Sequence, residues 1–283
     1  MPATIARGPA QRVRQAGGYA ALVVLAALFL LPFYLILRNA LMSQTELTSF
    51  AWRWFATPPR LSAFTDLFND QSAPMARGLL NSTIIAVVTL VFSMLFASMA
   101  GYGLARIPYR HRNAVFFAIL TPLMIPGATT FVLTYVVVGV LGGIDTLWGI
   151  IVPGLFNVFA TFLFRQHYLN FPRDLEDAGK VDGLGYWGIY RYLMLPNSRG
   201  IMAALGVLAF IGSWNDFLWP LVIGQTPSSW TVQIVLSTFL TAQVVNLPEL
   251  FAGALVGILP LVVVFLVMQR YIVRGVSMTG VRG

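Results

Sequence analysis

The chain has 283 residues, 58% of them hydrophobic and only 10% charged, with a mean hydropathy of +0.77. A globular domain carries about 25% charged residues, so an ordinary soluble domain is excluded. The formal charge of +8 is spread along the chain without a base-reading motif, which argues against nucleic acid, and the absence of cysteine removes disulfides, thiol nucleophiles and thiolate metal sites.

Six apolar runs are long enough to cross a hydrocarbon layer, which takes roughly 20 helical residues. They lie near 17–37, 79–100, 114–138, 147–164, 201–223 and 250–270. The first follows Arg7, Arg12 and Arg14, as a signal peptide would. Its length, and Pro32, Phe33 and Tyr34 in place of small residues, favour a retained span. The third is punctuated by Pro122, Pro126 and Gly127, and the fourth, the shortest, holds Pro153 and Gly154. Each such proline frees backbone groups that packed protein or an aqueous cavity must satisfy. The expectation is an all-α polytopic membrane protein with six transmembrane helices: a tail at 1–16, a membrane domain at 17–270 and a second tail at 271–283.

Basic residues set the orientation. With the N-terminus inside, fourteen lie on the inner side: Arg7, Arg12, Arg14, Arg106, Arg110, Arg112, Arg165, Arg173, Lys180, Arg191, Arg199, Arg270, Arg274 and Arg282. Four lie outside: Arg38, Arg53, Arg60 and Arg77. The positive-inside rule therefore places both termini and the 165–199 segment in the cytoplasm. The outer loop at 38–78 carries Trp52 and Trp54, which suit an interfacial belt. The 224–249 loop has no basic residue, and its STFLTAQ portion is read as a short surface helix.

Polar sequence as long as 165–199 inside so apolar a chain calls for a partner. Pro172 and Asp174 mark a helix start, with Glu176 and Asp177 also favouring the positive end of the helix dipole. Gly183 and Gly185 interrupt it, and a second helix is expected from Tyr186 to Met194, broken at Pro196. Tyr186, Trp187, Ile189, Tyr190, Leu193 and Met194 then supply an apolar face, giving a helix–turn–helix under the membrane. A partnerless amphipathic connector is the plainer alternative. Neither this loop nor the rest of the chain has a Gly-rich phosphate cradle ending in Lys-Ser or Lys-Thr. Nucleotide binding is therefore expected on another subunit.

At these residues the chain resembles the integral membrane permeases of binding-protein-dependent ABC importers. Their cytoplasmic loop reads Glu-Ala-Ala, three residues, Gly, nine residues, Ile-x-Leu-Pro, and docks in a cleft of the ATPase. Here Asp177-Ala178-Gly179 stands at Glu-Ala-Ala, followed by Asp182-Gly183 and by Leu193-Met194-Leu195-Pro196, with Gly200 where a proline is usual. The resemblance extends to Asn81-Ser82, to Gly101-Tyr102-Gly103-Leu104-Ala105-Arg106, to Phe162, Arg165 and Gln166, to Trp214-Asn215-Asp216-Phe217 with Pro220, and to the tail from Gln269 to Gly275 with Val281-Arg282-Gly283. Together these look like the second permease of maltose and glycerol-phosphate type systems. The resemblance implies the ABC importer permease fold and ATPase coupling through Asp177, Ala178, Gly179, Asp182, Gly183, Leu195 and Pro196. It also implies a homologous second permease, two ATPase domains or subunits carrying ATP and Mg, an extracytoplasmic solute-binding protein and a sugar-like substrate. No cofactor or metal is expected on this chain.

Candidates for the pathway or its gate are Pro122, Pro126, Tyr135, Asn157, Trp214, Asn215 and Asp216. An ionisable residue inside a membrane span normally faces water, protein or a pore. Asp216 and Asn215 offer hydrogen bonds to sugar hydroxyls and Trp214 a stacking face; the plainer reading is an interfacial Trp with an Asn-Asp helix cap. His111 and His167 are read as membrane-surface residues. An ion-coupled secondary transporter is the nearest competitor, although no inverted repeat is evident. A permease for peptides or amino acids is another. A membrane enzyme fits less well, since no nucleophile–base arrangement emerges.

Overall fold

A computed structural model describes the backbone of residues 9–241 and 245–279 and the side chains of 15–240 and 245–269. Arg7, Arg12 and Arg14 as side chains, the Ala242-Gln243 end of the STFLTAQ segment and most of the tail signature lie outside those residues. The described chain is helical, without strands, and forms two compact units: residues up to 69 with 245–256, and residues 70–241 with 257–279.

The first unit begins with α1 (Pro9–Ala40), whose Gln15–Ala40 portion has a mean hydropathy of 2.7 and no buried residues in its most apolar window. Helix α2 (Gln44–Thr48) starts at a capping box, in which the Ser43 hydroxyl accepts from the Glu46 amide while the Glu46 carboxylate accepts from the Ser43 amide. Gln44 ties α2 to the chain near 245: its Nε2 donates to the Val245 carbonyl and its Oε1 accepts from the Leu247 amide, each at 2.9 Å. Helix α3 (Ser62–Asn69) buries Ala63 and Leu67.

The second unit is built around α4 (Met75–Arg106). It is followed by α5 (Arg112–Leu120), a 3-10 turn at Thr121–Met124, α6 (Gly127–Val140), α7 (Leu147–Gly154) and α8 (Val158–Leu169). Next come α9 (Arg173–Val181), α10 (Tyr186–Ile189), a π-helical turn at Tyr190–Met194, α11 (Leu195–Asn197), α12 (Arg199–Asn215), α13 (Leu218–Ile223), α14 (Val232–Thr241) and α15 (Leu247–Thr279), whose residues up to Val256 belong to the first unit. Small residues let α4 and α8 approach closely. A Cβ on Gly101 would stand 2.7 Å from Phe164 Cβ and 2.9 Å from the Arg165 amide nitrogen, so only glycine fits that crossing.

Four helices are long and apolar enough to span a membrane, and two bent helix pairs bring the total to six. Three of the runs depart from simple rods. The third bends by 101° at Ile125 and Pro126, because Pro126 has no amide to continue the helical bonding. The fourth is interrupted between Gly154 and Val158, where the Asn157 side chain restarts the helix by accepting from the Ala160 amide at 2.9 Å. The fifth, expected to continue to 223, stops at Asn215. Asp216 takes extended backbone with ψ 125°, which ends α12, and α13 starts afresh after Phe217.

The break expected at Pro196 falls two residues later: the helix runs through the proline to Asn197, and the chain bends by 74° at Ser198 before α12. The Leu195 amide bonds back five residues to the Tyr190 carbonyl, and this wider π turn removes the clash that a proline ring makes with the carbonyl four residues earlier.

Candidate functional site

The 165–199 segment divides into an exposed half and a buried half. Helix α9 begins after Pro172, as expected, and ends in a Schellman motif. The Gly183 amide donates to the Lys180 carbonyl at 3.0 Å and the Leu184 amide to the Gly179 carbonyl at 2.9 Å. Gly183 sits at φ +84°, the left-handed region where a side chain is strained. Asp177, Ala178, Asp182 and Gly183 are all exposed, whereas Gly179 is buried and its position faces Leu193 Cδ1 at 2.9 Å from a built Cβ. The small residue there lets α9 lie directly on the following helix. Lys180 beside Asp177 (2.8 Å) holds that carboxyl below the usual carboxylate range, and the lysine is raised in return.

The following helix does not lie under the membrane with its whole apolar face free. Ile189, Tyr190 and Met194 are enclosed in a core with Met94, Ala97 and Tyr102 of α4 and Phe164 and Tyr168 of α8. Tyr190 and Ser98 hydroxyls share a 2.7 Å hydrogen bond, and Ser198 donates to the Tyr168 hydroxyl at 3.1 Å. Tyr186 and Trp187 remain exposed, while Leu195 and Pro196 are half-buried.

A buried ion pair fastens α9 to the end of α4. Glu176 lies 3.5 Å from the Arg106 guanidinium, with side chains only 6% and 7% exposed. Arg106 Nε also donates to the Tyr168 carbonyl at 2.9 Å, and its Nη2 donates to the Phe171 carbonyl. One guanidinium thus joins α4, the end of α8 and α9, so the exposed face carrying Asp177, Ala178, Asp182 and Gly183 is rigidly backed.

A cavity of about 430 Å³ lies among α4, α7, α8, α12 and α13. Thr89, Ser93, Asn157, Ser213 and Asp216 punctuate its mostly apolar wall. Of the pathway candidates, only Asn157 and Asp216 meet there. Trp214 is 1% exposed, stacks on Phe210 at 5.7 Å and donates to the Gly257 carbonyl at 3.0 Å, so its ring serves packing and offers no face to a sugar. Asn215 is exposed and outside the cavity lining. Pro122 and Pro126 are exposed at the bend of the third run, and Tyr135 packs against the cluster of Ile85, Val138, Ile150 and Ile223.

At the far end of α4 from Arg106, side chains from α4 and Asp145 hold the 224–232 segment, Arg77 among them, its Nε donating to the Ser228 carbonyl at 3.1 Å. Asp145, at φ 57°, accepts from the Gln225 and Thr226 amides at 3.0 and 2.9 Å, from the Thr226 hydroxyl at 2.7 Å and from the Ser229 hydroxyl. These bonds, led by that of Ser229, hold its carboxyl below the usual range. Asn81 Nδ2 donates to the Ser228 and Trp230 carbonyls, both at 2.9 Å, and the Ser82 hydroxyl accepts from the Val232 amide at 2.9 Å.

The family model described as "Binding-protein-dependent transport system inner membrane component" matches residues 93–278, which include the ion pair, the α9 turn and most of the cavity lining. The chain belongs to this family. The permease is 32% identical over 263 residues to the arabinooligosaccharides transport system permease protein AraQ of Bacillus subtilis, covering 92% of this chain and 93% of that protein. It is 35% identical to the lactose transport system permease protein LacG of Rhizobium radiobacter over 69% of this chain and 71% of that one. It is 27% identical to the sn-glycerol-3-phosphate transport system permease protein UgpE of Yersinia enterocolitica, over 90% and 92%. A chain of a bacterial ABC transporter involved in the import of the acidic polysaccharide alginate shares the fold, with a TM-score of 0.81 at 21% identity over 95% of this chain and all of that one. The permease is therefore a multi-pass protein of a bacterial membrane.

Sequence reading missed the pairing at the core of this site. Arg106 counted as a topology signal and as the end of a family signature, and Glu176 only as a helix-start acid. A signal existed: Glu176 and Gly179, both buried, share one face of α9 at i, i+3 spacing. Asp145 had a weaker one, following Gly142-Gly143 at a turn between apolar runs.

Proposed function

We propose that this chain is the permease subunit of an ATP-driven importer and that, with a second homologous permease, it forms the path for a sugar or related polyol compound. The observation that carries this reading is the exposed α9 turn, backed by a buried ion pair to the end of α4. A surface that must receive force from a neighbour needs an exposed face and a stiff mounting, and this one has both. The docking face comprises Asp177, Ala178, Asp182 and Gly183, with Gly179, Leu195 and Pro196 setting its shape from beneath. The relatives support the solute class, since those named above are permeases for arabinooligosaccharides, lactose and glycerol phosphate.

In this reading two ATPase domains sit at the α9 end and hold ATP and Mg, so this chain carries no cofactor and performs no chemistry. The fourteen basic residues of the inner segments put that end, and both termini, in the cytoplasm. An extracytoplasmic binding protein delivers solute at the opposite end; a solved relative of the fold comes from an alginate ABC transporter in complex with an alginate pentasaccharide-bound periplasmic protein. The cavity with Asn157 and Asp216 is this chain's share of the path. Closure of the ATPases shifts the population between inward-open and outward-open states through α9.

The test is mass spectrometry of the complex purified in mild detergent through a tag on this chain, with Asp182→Arg alongside. A second permease and two ATPase chains are expected with the wild type, and ATPase loss with the variant. A homomeric chain without ATPase, under conditions that preserve a control importer, would refute the reading and favour an ion-coupled transporter.

A further inference from the structure

Arg38 stands out among the cations of the first unit. It is 7% exposed, and no carboxylate among the described residues lies within 4.0 Å of it. Its Nη1 donates to the neutral Asn39 side chain at 2.9 Å, its buried Nε has no acceptor, and its guanidinium lies 4.3 Å over the Trp52 ring. A buried charge without a counter-ion is costly, and cation–π contact alone does not replace an anion. Glu46 borders the same pocket, but its oxygens are already taken by Ser43 and Arg53.

That pocket, about 300 Å³, is lined by Arg38, Asn39 and Trp52 together with the apolar Leu47, Phe50 and Phe251. It combines one fixed positive group with an apolar rim. Its depth follows from the sequence. Tyr19 opens the exposed apolar face of α1, and Arg38 comes 19 residues later, or about 28 Å along a helix rising 1.5 Å per residue. The hydrocarbon core of a bilayer is about 30 Å thick, so Arg38 stands at the headgroup plane. Exposed Trp52 and Trp54 agree, being residues of the membrane interface.

We propose that Arg38, Asn39 and Trp52 form an oxyanion-binding pocket whose occupant is the phosphate of a phospholipid headgroup, with the apolar rim taking the start of its acyl chains. The guanidinium supplies charge-assisted donors to phosphate oxygens, and stacking on Trp52 holds its plane in place. The phosphate is the counter-ion that the protein itself does not provide. The inference requires only that the chain lie in a membrane and is independent of what the permease transports or what drives it.

The experiment is native mass spectrometry of the delipidated complex, purified with its co-purifying subunits and titrated with dioctanoyl phosphatidylglycerol, with inorganic phosphate as competitor. The wild type is expected to hold one lipid at least about tenfold more tightly than Arg38→Gln or Trp52→Ala, while Arg199→Gln, an exposed cation of the second unit, leaves that lipid unchanged. Trp52→Ala keeps the test alive should Arg38→Gln fail to assemble, because Trp52 is a surface residue. Identical titrations for the wild type and Trp52→Ala would overturn the site. Displacement by millimolar inorganic phosphate would overturn the lipid as its occupant, as would a wild type that binds no lipid because a subunit's carboxylate already sits on Arg38.

Discussion

Replacing Glu176 with Gln keeps the shape of the side chain and removes the charge facing Arg106. At 3.5 Å and an effective dielectric of about 20, the attraction is about 5 kcal/mol before desolvation is counted. Breaking a buried pair by removing one partner costs about 3–5 kcal/mol. Arg106 retains its bonds to the Tyr168 and Phe171 carbonyls, so the expected loss falls to about 2–3 kcal/mol, a net figure for hydrogen bonds to a charged group. That raises the population of detached α9 by about 30- to 160-fold, at 1.36 kcal/mol per decade. Hydrogen exchange in nanodiscs reads this directly: amides of residues 177–184 should lose protection by that factor, while α4 near Ala86 keeps its own. Exchange in α9 indistinguishable from wild type would refute the idea that this pair fastens the loop. The double variant Arg106→Met with Glu176→Met should recover much of the loss, since a pair of apolar residues leaves no buried charge.

Gly183→Ala should destabilise the α9 turn by about 1–2 kcal/mol, the cost of a Cβ in the left-handed region, read as faster exchange at Leu184 and weaker ATPase retention. Gly179→Ala should be nearly neutral in the same assay, because the added Cβ meets the movable methyl ends of Leu193 and Leu184 and helix propensity improves by about 1 kcal/mol. Gly101→Val should cost about 1–3 kcal/mol through overpacking against the α8 backbone, seen as a lower thermal midpoint of the detergent-solubilised complex. For Asp145, whose carboxyl is held below its ordinary value near 4, the stabilisation is fully present above that value and is lost as pH falls through the lower folded one. Protection of the Gln225 and Thr226 amides should therefore be flat from pH 8 to 5 and decline only below about 4, with Asp145→Ala showing low protection throughout.

Much of the fold was legible because hydrocarbon thickness sets the length of a span, and the apolar runs at 79–100 and 250–270 lie within single helices. The α9 start at Pro172 and its end at Gly183 were legible too, since proline and glycine act through backbone geometry that needs no tertiary context. The break at Asp216 was not, because apolar residues continue on both sides and only the extended backbone there reveals it. Nor was the π turn: the residues Tyr190–Met194 are ordinary helix formers, and the wide turn is set by Pro196 together with the packing of Tyr190 on Ser98. The candidate site showed the same division. Exposed motif residues could be read by spacing, while Arg106, Glu176 and Asp145 matter through partners 70 to 84 residues away, and no local pattern names those partners.

The crossing at Gly101 gives α4 unequal arms. From that point Arg106 is five residues away and Asn81 twenty, or about 7.5 and 30 Å at 1.5 Å per residue. If the helix tilts as a rigid rod about its tightest contact, a displacement of about 1 Å at the Arg106–Glu176 pair becomes about 4 Å where Asn81 holds the 228–230 carbonyls. A glycine chosen for close approach thus also sets the mechanical gain between the two membrane faces, trading force at one end for travel at the other.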